Sequence, residues 1–154
     1  MRNYCIYESP IGKLYLSSSE GYLVGLDFKK SPLEEIQQED EVLKKAVSQL
    51  EEYFLGQRKE FTLPLNPQGT PFQKQVWEAL RTIPYGETRS YKEVAIAIGN
   101  PKACRAVGMA NNKNPIAIIT PCHRVVGANG KMVGYAGGLG IKEALLEVES
   151  KANK

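Results

Sequence analysis

The single histidine of the chain, His123, directly follows one of its three cysteines, Cys122. A cysteine thiolate is a strong nucleophile, and an imidazole held nearby can accept the thiol proton. Because adjacent side chains seldom face each other, the pair favours a proton relay through a water over a direct Cys–His contact. Such a pair is compatible with nucleophilic chemistry at Cys122, but in a chain with a single histidine the adjacency alone carries little weight.

The other two cysteines, Cys5 and Cys104, lie far from Cys122 in the sequence. A structural zinc site usually has four Cys or His ligands, and the chain has no CxxC pair. We therefore expect no metal and no other cofactor. No apolar run reaches the ~20 residues that cross a bilayer, and the N-terminus lacks an apolar signal core. We expect a cytoplasmic protein with no membrane partner.

The distribution of charge divides the chain. Residues 1–66 carry 8 Lys and Arg against 11 Asp and Glu, a net charge of −3, whereas residues 67–154 carry 12 against 6, a net charge of +6. The segment Asn66-Pro67-Gln68-Gly69 is typical of a linker, so we predict two domains, 1–66 and 67–154. The basic C-terminal domain favours a polyanionic partner, with a solvated basic face as the alternative.

The N-terminal domain has the pattern of a scaffold. Three strands are predicted, at 4–7, 14–16 and 22–28. The short turns between them favour an antiparallel meander. From Leu33 to Phe54 the spacing of the apolar residues changes to that of a helix, which predicts an amphipathic helix that ends near Gly56. The segment 61–65 is interpreted as one more strand.

Helix capping signals organise the C-terminal domain. Thr70 and Pro71 predict the start of a helix that ends near Ile83. Ser90 and Glu93 have the spacing of a capping box, which predicts a second, short helix.

A third helix is predicted to start at Asn100-Pro101 and to extend to about Asn112, which completes a helix-turn-helix. Most of its residues are small, and Arg105 is its long side chain. Such a helix can approach DNA closely without reading its sequence. A tightly packed internal helix is the alternative interpretation.

The apolar run Ile116-Ala117-Ile118-Ile119 is interpreted as a buried strand or extended segment that leads to Cys122. After the turn-forming segment 127–130, a last helix is predicted at about 139–149.

The segment Pro121-Cys122-His123-Arg124-Val125 resembles the signature of the O6-alkylguanine-DNA alkyltransferases, also called methylated-DNA–protein-cysteine methyltransferases. The segments that share the family's pattern and spacing are Pro84-Tyr85-Gly86-Glu87-Thr88, Ser90-Tyr91, Arg105-Ala106-Val107-Gly108, Asn114-Pro115 and Tyr135-Ala136-Gly137-Gly138. The resemblance covers 70–149 strongly and the N-terminal half only in organisation. It implies an α+β fold, with a ribonuclease H-like α/β domain followed by a winged helix-turn-helix DNA-binding domain.

The resemblance also implies roles at the reacting centre. Cys122 would accept the alkyl group, His123 would take its proton through a water, and Glu149 would orient the imidazole. Asn114 would organise the loop that carries the cysteine, and Tyr91 would donate to the flipped guanine.

Contacts with the lesion and with DNA are implied as well. The backbone N–H of Ala136 would bind the lesion oxygen, and the carbonyls of Cys122 and Val125 would accept from the exocyclic amine. Arg105 would fill the space of the flipped base, with its helix in the minor groove. Further substrate or DNA contacts are implied for Ala106, Arg124, Tyr135 and Gly137.

The activity expected from the resemblance is repair of double-stranded DNA. A monomer would flip O6-alkylguanine out of the duplex, with O4-alkylthymine as a secondary substrate, and transfer the alkyl group irreversibly to Cys122, once per chain. Bound to DNA, it would be associated with the nucleoid. Two alternatives stay open: a non-catalytic lesion-binding or helix-turn-helix regulatory protein, and a cysteine hydrolase.

Overall fold

The structure, a computed structural model, describes residues 2–130, 135 and 137–152. The chain forms two compact units, Met1–Gln68 and Gly69–Lys154. The division falls within the segment 66–69 that the sequence indicates as a linker. Among the described residues, none of the helices has the length and apolar character that a membrane crossing requires.

The first unit contains a four-stranded sheet with the order β3-β2-β1-β4. The strands are β1 (Arg2–Ser9), β2 (Gly12–Ser19), β3 (Tyr22–Asp27) and β4 (Glu35–Gln37). The first three form the predicted antiparallel meander, whereas β4 pairs in parallel with β1. The helix α1 (Glu41–Phe54) buries one face, which includes Leu43, Ala46 and Leu50.

Two details of this unit differ from the sequence prediction. The segment after Leu33 forms β4 before the helix, and α1 begins only where Asp40 caps it by accepting from the Leu43 N–H. The segment 61–65 is not a regular strand, because only Leu65 forms an isolated bridge, with Leu23. Apolar alternation therefore located the strands that pair along their whole length and misassigned the short ones.

The second unit contains four helices among its described residues. These are α2 (Pro71–Leu80), α3 (Tyr91–Ala97), α4 (Cys104–Asn112) and α5 (Leu139–Ala152). Two short strands, β5 (Arg89–Ser90) and β6 (Val125–Val126), pair in parallel. Single 3-10 turns lie at Cys122–Arg124 and Ala128–Gly130. The capping boxes predicted at Thr70 and Ser90 are both present.

The start of α4 differs from the prediction. The Asn100 N–H bonds to the Ala95 carbonyl at 2.9 Å, next to Gly99 at φ 79°, so Asn100 ends α3 and does not begin the next helix. Ala103 then bonds back to the Asn100 carbonyl, and α4 begins at Cys104.

The apolar core of this unit is built on Trp77, which is 3% exposed and whose indole Nε1 donates to the Ala110 carbonyl at 2.8 Å. This bond fixes α2 against α4. Gly69 lies so close to the indole that a Cβ there would be 2.4 Å from the ring, so only glycine fits. Cys122 and Val125 belong to the same cluster of buried residues. The segment 122–125, which contains the Cys-His pair, is therefore packed into the core.

Candidate active site

Cys122 opens its 3-10 turn from within the core. It is a free cysteine, 5% exposed. Its N–H bonds to the Thr120 carbonyl at 2.8 Å, and its carbonyl accepts from the Val125 N–H and from Asn111 Nδ2, the latter at 3.4 Å. Burial raises the pKa of the thiol, against opposing contributions from Asn114 and other neighbours. The resting side chain is therefore a neutral thiol.

A tight turn leads to the cysteine, where the sequence predicted a strand or extended segment. Ile119 bonds to the Ala117 carbonyl at 2.8 Å, and Ile118 has a φ of 70°, a strained conformation for a β-branched residue. Asn114 fastens the turn: its Nδ2 donates to the carbonyls of Ile116 and Thr120 at 3.3 and 2.8 Å, and its Oδ1 accepts from the Ile116 N–H. These bonds shape the loop that carries Cys122.

His123 points to the last helix. The residue is fully buried, and its Nε2 lies 2.6 Å from Glu149 Oε2. Burial lowers the pKa of His123, so the ring is neutral near pH 7. A carboxylate only accepts, so we assign the proton to Nε2. Nδ1 then carries a lone pair and has no hydrogen-bond partner among the described residues.

Glu149 is held by more than the histidine. Arg124 donates to both of its oxygens, from Nε at 2.9 Å and from Nη2 at 3.0 Å, and the Gly86 N–H donates at 3.2 Å. Burial alone would raise the pKa of the carboxyl, but the hydrogen bonds from His123 and Arg124 and the charge of the Arg124 guanidinium lower it to about 2. Glu149 is therefore ionised and fixed, and it orients the imidazole.

Arg124 was predicted from the resemblance as a substrate or DNA contact. In the structure it is buried, and besides its bonds to Glu149 it donates from Nη1 to the Ile83 carbonyl at 2.7 Å. Its guanidinium lies 5.7 Å from the centre of the Tyr85 ring. With these donors directed into the protein, Arg124 supports the His123–Glu149 pair and does not reach outward to DNA.

Two tyrosines lie at the thiol. Tyr91, the first residue of α3, is half-buried; burial raises its pKa, and ionisation of Cys122 would raise it further. A hydrogen bond from Tyr135 lowers the pKa of Cys122. The Gly138 N–H bonds to the Tyr135 carbonyl at 2.9 Å across a turn that includes Gly137. Ala136 lies outside the described residues.

The predicted DNA-contacting side chains, Arg105 and Ala106, are both exposed near the start of α4. The opposite face of the helix is buried through Val107 and Ala110. The interpretation of α4 as a wholly internal helix is therefore wrong. The exposed face of the helix includes the cationic side chain of Arg105, the small Ala106 and the long apolar side chain of Met109.

The residue that the sequence interpretation missed is Lys142. It is fully buried on α5, and its Nζ donates to the Val125 carbonyl at 2.6 Å. Helical spacing could have predicted this burial, because Lys142, Leu145 and Glu149 lie at i, i+3 and i+7 on one face of α5. All three residues have no exposed area. Among the described residues there is no cluster of His, Cys, Asp and Glu that could hold a metal ion.

Comparison with known families gives two matches along the chain. Residues 71–151 match the family described as "6-O-methylguanine DNA methyltransferase, DNA binding domain". Residues 3–67 match the family described as "6-O-methylguanine DNA methyltransferase, ribonuclease-like domain". The two matches together cover nearly all of the chain.

Individual proteins are similar over the same length. A methylated-DNA–protein-cysteine methyltransferase of Methanosarcina acetivorans is 56% identical over 95% of this chain and 97% of its own. One of Mycobacterium leprae is 51% identical over 92% and 88%. The crystal structure of Mycobacterium tuberculosis OGT in complex with DNA has a TM-score of 0.92 and 49% identity, covering 97% of this chain and 94% of that one.

Proposed function

We propose, from the premise that this chain belongs to the 6-O-methylguanine DNA methyltransferase family, that it repairs double-stranded DNA by moving the alkyl group of O6-alkylguanine onto Cys122. The observation that carries the assignment is the His123–Glu149 pair beside a buried free cysteine. Glu149 holds the ring by Nε2, so the lone pair of Nδ1 is left to act as the base.

The proton of the thiol leaves through a water between Cys122 and His123 Nδ1. Burial keeps the resting side chain a thiol, so the nucleophile forms when the substrate is in place. The thiolate then attacks the alkyl carbon, and the guanine oxygen receives the electron pair of the broken C–O bond. Tyr91 and the N–H of Ala136 are the donors that stabilise the charge of the leaving guanine.

The alkyl carbon must reach a cysteine that is 5% exposed. A base inside a duplex cannot do so, and we propose that the lesion is flipped out of the stack, with Arg105 in the vacated space. The carbonyls of Cys122 and Val125 accept from the exocyclic amine. The remaining contacts with the lesion or the DNA around it come from Ala106, Tyr135 and Gly137.

The product is a thioether, which thiol exchange does not reverse. We therefore propose one transfer per chain. We further propose that the protein acts as a monomer and is associated with the nucleoid when it is bound to DNA, where its lesion occurs. O4-alkylthymine would be a secondary substrate.

The test is the intact mass of the protein after mixing with a duplex that contains O6-methylguanine, followed by mapping of the modified peptide. We expect the gain of one methyl group, on Cys122. Cys122→Ser should bind the lesion without transfer, and the matched controls Cys5→Ser and Cys104→Ser should still be methylated. Binding without transfer by the unaltered chain would favour a lesion-binding protein, and a second methyl group would contradict the single site.

A further inference from the structure

Asn111 is the polar residue on the buried face of α4, where it lies with Val107 and Ala110. It is 2% exposed. Its Nδ2 donates to the Cys122 carbonyl at 3.4 Å, which is longer than the usual range for such a bond. Its Oδ1 is buried and has no hydrogen-bond partner among the described residues. Because an unpaired buried oxygen costs free energy of folding, this amide favours a role in binding over one in packing.

The neighbours of this amide belong to the reactive site. One turn earlier on the same helix, Gly108 lies against Tyr91, since a Cβ at that glycine would be 3.7 Å from the phenol ring. Burial raises the pKa of Tyr91, and the Asn111 amide acts in the opposite direction, so it meets the same tyrosine. Asn111 therefore adjoins both Tyr91 and the Cys122 carbonyl, two groups that the proposed function places on the flipped base.

The backbone groups proposed to meet the C2 substituent of the base, the carbonyls of Cys122 and Val125, are both acceptors. They suit the exocyclic amine of an alkylguanine, which donates. In an O4-alkylthymine whose alkyl carbon faces Cys122, the group at the same place is O2, which is an acceptor. Two carbonyl oxygens would repel it, so a site built of these groups alone would reject the thymine.

An asparagine amide can serve either base. It has an acceptor at Oδ1 and two N–H donors at Nδ2. The torsion that exchanges the two ends is broad and roughly two-fold, so a half turn swaps acceptor and donor with little change in shape. The bond that holds Nδ2 in the empty site is long, and the amide can therefore leave it when a base enters.

We propose that Asn111 is the specificity-determining residue that lets one site accept both lesions. Its Oδ1 accepts from the exocyclic amine of O6-alkylguanine, and its Nδ2 donates to O2 of O4-alkylthymine. The inference rests on the proposed function and deepens it, because it assigns the group that makes the thymine a substrate. Transfer is the same for both bases: the Sγ–C bond forms, and the C–O bond breaks with its electron pair left on the base. The thiol proton ends on N1 of the guanine or N3 of the thymine.

The test measures single-turnover rates of methyl transfer to Cys122 from duplexes that contain O6-methylguanine or O4-methylthymine. In Asn111→Leu, a substitution of similar size, the thymine loses the donor proposed for O2, whereas the guanine keeps two carbonyl acceptors. We expect the ratio of the thymine rate to the guanine rate to fall about tenfold, the factor for one hydrogen bond whose partner is left unpaired. Asn111→Ala should change the ratio in the same direction, and it serves as the second variant if the leucine prevents folding. Asn112→Leu, at the exposed next position, should leave the ratio unchanged.

A second measurement tests the contact with guanine. O6-methylhypoxanthine in the same duplex lacks the exocyclic amine. In the unaltered chain we expect its transfer to be slower than that of O6-methylguanine, and in Asn111→Leu we expect a smaller difference between the two bases. The four rates form a double-mutant cycle between the amine and the side chain. An equal difference in both proteins would show that the amine does not meet Asn111 and would overturn the guanine contact.

A structural role of Asn111 predicts a different result. It would act through the shape of the site and slow both lesions by the same factor. An unchanged ratio in variants that are folded by Trp77 fluorescence would therefore overturn the inference; Trp77 reports on this part of α4 because it bonds to the Ala110 carbonyl. Transfer from O6-methylguanine with none from O4-methylthymine by the unaltered chain would overturn it as well. Failure of the unaltered chain to transfer from O6-methylguanine would instead overturn the proposed function.

Discussion

Replacement of Glu149 by glutamine removes one negative charge from the centre of a buried network and hardly changes its shape. The carboxylate accepts at least four hydrogen bonds, from His123 Nε2, Arg124 Nε and Nη2, and the Gly86 N–H. A glutamine has one acceptor oxygen and an amide that must donate. Glu149→Gln therefore leaves the Arg124 guanidinium buried without its counter-charge.

Two arguments give the size of the loss in the free energy of unfolding. Removal of one partner of a buried ion pair costs about 3–5 kcal/mol of the free energy of unfolding. Independently, a carboxyl pKa that falls from 4.5 to about 2 on folding corresponds to about 3 kcal/mol. We expect Glu149→Gln to lose about 3 kcal/mol at pH 7.

The loss must depend on pH in one direction. Because the pKa of Glu149 is lowered in the folded protein, its contribution is complete above the unfolded-state value and disappears as the pH falls towards about 2. The difference in stability between the variant and the unaltered chain should therefore shrink between about pH 4.5 and about pH 2.

Urea denaturation followed by tryptophan fluorescence measures this difference, because Trp77 is the single tryptophan and lies in the core of the same unit. Glu147→Gln is the matched control: it lies on the same helix in an exposed pair with Lys151, and it should change stability by less than about 0.5 kcal/mol. A loss below about 1 kcal/mol for Glu149→Gln, or a loss that is equal at pH 7 and pH 3, would refute the account of the network.

Three further predictions concern other parts of the site. Arg105→Ala should slow the repair of duplex DNA more than the reaction with free O6-benzylguanine, because only the duplex requires extrusion; equal slowing would exclude the flipping role. Asn114→Ala should lower the free energy of unfolding by about 1–3 kcal/mol and slow transfer from free O6-benzylguanine as well, because the turn before Cys122 loses three hydrogen bonds; the exposed Asn112→Ala is the control, and unchanged kinetics would contradict the role. Ser90→Ala should cost about 1 kcal/mol in urea denaturation through loss of the cap of α3, and no change would show that the cap contributes nothing.

The sequence predicted correctly the helix starts that are fixed by hydrogen bonds between neighbouring residues. Thr70 and Ser90 cap helices through bonds to residues three positions on, so the signal and the structure occupy the same few residues. The family and the α+β class that the motifs predict are confirmed by the matched families and relatives.

Features that depend on distant partners were predicted poorly. The apolar run 116–119 was interpreted as extended, because hydrophobicity reports burial and not direction. The chain turns there because the Asn114 side chain donates to the carbonyls of both Ile116 and Thr120. Such a side-chain bond does not appear in the spacing of apolar residues along the sequence. Likewise, the burial of Lys142 depends on the Val125 carbonyl, 17 residues earlier.

The partners of the reactive turn are arranged in a fixed order along the chain. Cys122 and His123 precede the helix that supplies Lys142 and Glu149, and the His123–Glu149 contact spans 26 residues. During synthesis the thiol therefore leaves the ribosome before Glu149, which holds the base His123. Until α5 packs against the reactive turn, His123 lacks the carboxylate that orients it, so we expect a nascent or partly unfolded chain not to transfer an alkyl group to Cys122 by the proposed route.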